Sequence, residues 1–190
     1  MKMELNYKIK ANFWKKNGNI YRNNTKLIFD DNKNDCIGTV IMLNPGDAKP
    51  LEGLDVINEH SEIYGSHKDP TLGFVATWVI EAYKGNKSLC GYIAIVNLCD
   101  IRDTNSNNLP QEPSKTSSMI IEEIPQKTPW VWIAWGGAAK QFNNLREDVL
   151  KSCKDKLIIG IENKSFMHPI EISTKGKKQE MIEKIIKVSK

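Results

Sequence analysis

Four stretches of this chain run apolar and β-branched without a polar break: Thr39–Leu43 (TVIML), Tyr92–Asn97 (YIAIVN), Trp130–Ala134 (WVWIA) and Leu157–Ile161 (LIIGI). Such runs predict strands buried on both faces. Each stops abruptly at polar or turn-forming residues. Asn44-Pro45-Gly46-Asp47 follows the first and Asn97 closes the second, while Trp135-Gly136-Gly137 and a loop reaching His168-Pro169 follow the others. Helical spacing fills the gaps. Phe74, Val75, Trp78, Val79, Ala82 and Tyr83 make one apolar face behind Asp69-Pro70, an N-cap and a first-turn proline, with Gly85 as the expected end. Ser114–Ile124 predicts a short helix and Gly137–Cys153 another. Met181, Ile182, Ile185 and Ile186 make a stripe on a closing helix within residues 173–190. Strands alternating with helices predict one domain over residues 1–190. Its class is α/β, a three-layer α/β/α sandwich around a central four-stranded, mainly parallel sheet.

The remaining segments are polar. Residues 1–35 read as a loose hairpin or edge segment leading to the first core strand, with Asp30-Asp31-Asn32 making a turn, Lys49–Lys68 as a long functional loop with one helical turn, and Arg102–Pro113 as a surface loop. Composition changes this picture little. At 190 residues and 40% hydrophobic content the chain can bury a real core. No apolar run nears the roughly 20 residues that span a bilayer, and MKMELNYKIK lacks the apolar stretch of a signal peptide. The four cysteines show neither CxxC nor Cys/His spacing, which argues against zinc or a disulfide framework and for a reducing cytoplasm. A net charge of +4 permits a polyanionic partner without demanding one.

The candidate chemistry sits at the strand ends, where open α/β sheets bind their ligands. Asn44 can hold a water or a sugar oxygen, Gly46 lets backbone N–H groups approach a ligand, and Asp47 can serve as a base or cap the next turn. The Asn97 amide suits the Watson–Crick edge of a base, or equally the backbone of its own loop. Gly136 and Gly137 can open a helix towards a phosphate, or can serve close strand–helix packing. His168, in a loop bearing lysines, is the residue type that stabilises or protonates a leaving group near neutral pH. No metal or cofactor is expected.

LNPG, then VNL, then a strand ending in WGGAAKQF, then MHP resembles, in this order, the uracil-DNA glycosylase superfamily. The resemblance implies that fold, with Asn44 as the residue that positions the attacking water and Pro45 and Gly46 against the base. It makes Asn97 the base reader, His168 the leaving-group stabiliser and Phe74 the aromatic that stacks on the flipped base. Lys164 and Lys175 would join Gly136 and Gly137 on phosphates. MHPIEIS lacks the Ser-Pro-Leu wedge of that superfamily, and the first motif offers Asn where many members have Asp. The chain also resembles, more closely, a bacterial and phage family of unknown function sharing MLNP, DPT, NL, WG and HP over roughly Tyr21 to Ser173.

The function so implied is a cytoplasmic, metal-independent, DNA glycosylase-like hydrolase. It would cleave the N-glycosidic bond of a flipped, modified or damaged base, act as a monomer on DNA without a membrane partner, and suit a phage or anti-phage defence setting. Two alternatives stand beside it: a non-catalytic binder of nucleic acid or nucleotide on the same fold, and a protein-interaction module.

Overall fold

The computed structural model describes residues 7–30, 32–46, 50, 61–65 (backbone only), 69–84, 89–103, 105, 108–137, 140–162 and 165–189. Strands β1 (Lys8–Lys16) and β2 (Asn19–Ile28) form a hairpin. Its turn is Asn17-Gly18, both residues at positive φ (50° and 79°), the conformation that matches a two-residue turn to the twist of its strands. Strands β3 (Cys36–Met42), β4 (Ser61–Gly65), β5 (Tyr92–Asn97), β6 (Val131–Ile133) and β7 (Ile158–Ile159) complete a seven-stranded sheet in the order β4-β1-β2-β5-β3-β6-β7.

The four strands predicted from apolar runs are the parallel part, β5-β3-β6-β7, in adjacent positions. The expected sheet of four was too small because the polar N-terminal segment is not a loose edge. It adds antiparallel strands, with β2 paired directly to β5. Its alternation of Ile9, Ala11 and Phe13 with polar residues is that of strands buried on one side only. Within the predicted Lys49–Lys68 loop, residues 61–65 are strand β4 on the outer edge of β1; the predicted helical turn lies outside the described residues.

Helix α1 (Pro70–Tyr83) begins as the sequence predicts, with the Asp69 carboxylate accepting from the N–H groups of Thr71 and Leu72 at 3.0 and 3.1 Å. Its C-cap is Lys84; Gly85 lies outside the described residues. Helix α2 (Ser117–Glu123) is capped by Thr116. The predicted Gly137–Cys153 helix is shorter: a 3₁₀ turn at Lys140–Phe142 leads into α3 (Asn143–Ser152). The closing helix forms as α5 (Lys178–Val188), and the predicted His168 loop runs into a further short helix, α4 (Pro169–Thr174), with Gly176 at φ +67° between the two.

Side-chain alternation along the strands divides the core into two layers. Val40, Met42, Ile93, Ile95, Trp130 and Trp132 pack with α1, α4 and α5, while Ile41, Val96, Val131, Ile133 and Trp135 pack with α2 and α3. Helices therefore cover both faces of the parallel strands, and the carboxyl ends of β3 and β5 emerge beside the start of α1.

Candidate functional site

A cavity of about 280 Å³ lies at that edge. The end of β3 supplies Met42, Asn44, Pro45 and Gly46, and the first turn of α1 supplies Asp69 to Leu72. The remaining walls come from Arg22, Asp103, His168 and Ile170. Arg22 reaches it through an irregularity in β2. Between Lys26 and Asn23 the strand carries one residue more than its partner β1, and Asn24 takes a positive φ of 47°. Without that bulge, strict alternation from Leu27 and Thr25 would bring Asn23 to the inner face; with it, Arg22 is there, 2% exposed. Its guanidinium Nη1 faces Asp69 Oδ2 at 3.6 Å.

Asn44 donates through Nδ2 to the carbonyl of Asp103 at 2.7 Å. That bond fixes the amide orientation and assigns Oδ1 the acceptor role. His168 is the N-cap of α4: Nδ1 accepts from the Ile170 N–H at 3.4 Å, and the His168 N–H donates to Glu171 Oε2 at 3.2 Å. An accepting Nδ1 puts the ring proton on Nε2. Burial pushes the imidazole pKa below the usual histidine value, against the opposing pull of the Glu171 and Asp69 carboxylates. The ring is therefore neutral at neutral pH and offers one N–H donor.

Asn97 does not line the cavity. It is the register partner of Met42, on the same sheet face, 1% exposed, and neither its Oδ1 nor its Nδ2 has a hydrogen-bond partner among the described residues. An amide buried in that condition costs about 1–3 kcal/mol. Its main chain, in contrast, is held firmly. Lys115, 6% exposed, donates to the Asn97 carbonyl at 3.2 Å and to Asp100 Oδ1 at 2.7 Å, and contacts Glu123 Oε1 at 2.7 Å. This clamp ties α2 to the end of β5. Burial raises the Asp100 carboxyl to about 6, partly offset by Lys115 and reinforced by Glu123.

The other predicted site residues are dispersed. Phe74 is half-buried on α1 and its ring stacks on Trp78 at 5.6 Å, away from the cavity lining. Gly136, at φ +74°, serves close packing: its N–H donates to Phe166 O at 2.9 Å, and a Cβ there would meet His168 Cβ at 3.2 Å. Gly137 is exposed with open space around it, and Lys175 is exposed at the end of α4. Asp47 and Lys164 lie outside the described residues.

Sequence reasoning overlooked Arg22, Asp103 and Lys115 and assigned Asp69 to helix capping alone. Of these, Asp103 carried a signal, as a carboxylate in the loop that follows the strand end at Asn97.

Among the described residues no group of three or more His, Cys, Asp or Glu side chains could hold a metal ion, and no helix is long and apolar enough to cross a membrane. No curated protein and no solved structure matches the chain. Residues 26–170 match the model of a family described as "Protein of unknown function (DUF1643)", within the stretch that carries the MLNP, DPT, NL, WG and HP motifs. The chain belongs to that family.

Proposed function

We propose that this protein is a DNA glycosylase-like hydrolase, with a uracil-DNA-glycosylase-like arrangement of its four parallel strands and DNA as its partner. The observation that carries the reading is the Asn97 amide, buried with both polar atoms unpaired next to a cavity that holds Asn44 and His168. A flipped base satisfies those atoms, since its Watson–Crick edge presents donors and acceptors together. Asn44 Oδ1, with its Nδ2 already committed to Asp103, orients a water towards the sugar. The neutral His168 donates its Nε2 proton in a hydrogen bond to the departing base as that base takes the electron pair of the broken bond. Lys175, exposed at the end of α4, suits a phosphate, while Lys177 and Lys178 face Glu180 and Glu81 at 3.9 and 2.8 Å.

A second reading is favoured by one specific observation. The cavity stops short of Asn97, with Met42 in its lining. A protein that binds a nucleotide or nucleic acid without cleaving it could keep the amide in reserve in this way. Incubation with oligonucleotides carrying a panel of altered bases, followed by detection of abasic sites, decides between them. Abasic product from any one base supports the hydrolase; DNA binding with no product from any base supports the binder.

A further inference from the structure

We propose that Asp69 is a catalytic carboxylate of this cavity, in addition to being the N-cap of α1, and that it opposes the positive charge that develops on the sugar. The inference rests on the hydrolase reading above and adds a residue to it. Asp69 lines the cavity with Asn44 and His168 and is 8% exposed. Its two oxygens are divided between tasks. Oδ1 accepts both helix N–H groups, from Thr71 and Leu72, while Oδ2 faces Arg22 at 3.6 Å, beyond hydrogen-bond length. The Asp69 charge also acts on the imidazole of His168, which puts the carboxylate within electrostatic range of the leaving-group side of the site.

Asp103 also lines the cavity, but its Oδ1 is bound by the Asn105 N–H at 2.8 Å and Asn108 Nδ2 at 3.3 Å, inside its own turn. Asp69 is the carboxylate set on the rigid start of a long helix, where a charge can be held in place for a transition state.

The step balances without a metal or co-reactant. The bond from C1′ to the base nitrogen breaks, its electron pair leaves with the base, and C1′ carries the positive charge. The water oriented by Asn44 bonds to C1′ through its oxygen. The proton it sheds passes to Asp69 Oδ2 and is returned to the base through bulk water. Glycoside hydrolysis in general places a carboxylate against this oxocarbenium-like charge.

The test uses binding, so that it does not depend on finding the excised base. Two otherwise identical oligonucleotides carry, at one position, either a protonated pyrrolidine in place of the deoxyribose or its neutral tetrahydrofuran counterpart. The full chain should bind the cationic one at least about tenfold more tightly, the scale of one charge pair partly shielded from water. Asp69→Asn keeps a side-chain oxygen for the cap; it should leave the melting temperature nearly unchanged and reduce the preference below about twofold. Asp103→Asn should retain the preference. If Asp69→Asn does not fold, Asp69→Ser, also neutral and also a good cap, takes its place. The assignment is overturned if the wild type binds both oligonucleotides equally, if the folded Asp69 variant keeps the preference, or if Asp103→Asn abolishes it. In each of those cases DNA binding itself survives. Failure of both oligonucleotides to bind removes the DNA reading and this assignment with it.

Discussion

Met42 and Asn97 are register partners at the carboxyl ends of parallel strands β3 and β5, so their side chains stand side by side on the face that carries α1. One lines the cavity; the other is sealed beside it with its amide unpaired. A flexible thioether next to an unsatisfied amide is an arrangement that a ligand can open, and a fold has no reason of its own to keep it.

Asn97→Leu should therefore stabilise the protein. The substitution keeps the approximate volume and removes a desolvated amide, so the unfolding free energy in a urea titration should rise by about 1–3 kcal/mol. The same variant should lose its affinity for any base-bearing ligand. A fall in stability would mean that the amide is satisfied in the native protein, and Asn97 would then be a structural residue.

Asn44→Ala should leave the fold intact and lower base excision by about a hundredfold or more, the scale of a lost positioning group. Single-turnover kinetics on the base that yields abasic product checks this, with DNA affinity measured alongside. Equal excision by the variant would remove Asn44 from the chemistry.

Gly136→Ala should destabilise the protein and displace the His168 loop. The position has φ +74°, which disfavours any residue with a Cβ, and the new methyl would press on His168 Cβ at 3.2 Å. The expected loss is about 1–2 kcal/mol, with excision falling further than stability alone explains. Chemical-shift changes confined to residues far from His168 would contradict the packing role.

Asp100 predicts a pH dependence of definite sign. Its folded pKa is raised from 3.8 to about 6, so between those values the native state holds more protons than the unfolded chain. Stability from this group is present below about pH 4 and is lost as pH rises through about 6, by no more than about 3 kcal/mol. Relative to the wild type, Asp100→Asn should therefore gain stability from pH 4 to 6 and hold a constant difference above that. Urea titrations of both proteins across the range check the slope. A difference that stays flat would mean that Lys115 offsets the burial of Asp100 fully.

The parallel strands and the start of α1 were legible because one-dimensional signals determine them. YIAIVN and TVIML are too apolar to be anything but core, and Asp69-Pro70 can hardly begin anything but a helix. The hairpin's place in the sheet was harder to read, although Asn17-Gly18 is a strong turn signal. Its strands are polar on one side, and nothing local says which edge they join. Arg22 was illegible for a different reason: its face is set by the bulge at Asn24, and a single extra residue inverts the alternation for everything before it. That Asn44 and His168 would share one edge of the sheet was legible because strand ends announce themselves. The place of Asp69 in the same cavity was hidden by the sufficiency of its capping role.

Strand β2 also protects the molecule from itself. Along the antiparallel register Thr25–Ile95 to Ile28–Tyr92 it occupies the outer side of β5. A chain shortened to begin at Cys36 would present YIAIVN as a bare, uncharged strand edge, ready to pair with the same edge of another molecule. Loss of the hairpin should then be registered first as self-association, before any loss of helix content, and the N-terminal hairpin is thus a solubility element as much as the carrier of Arg22.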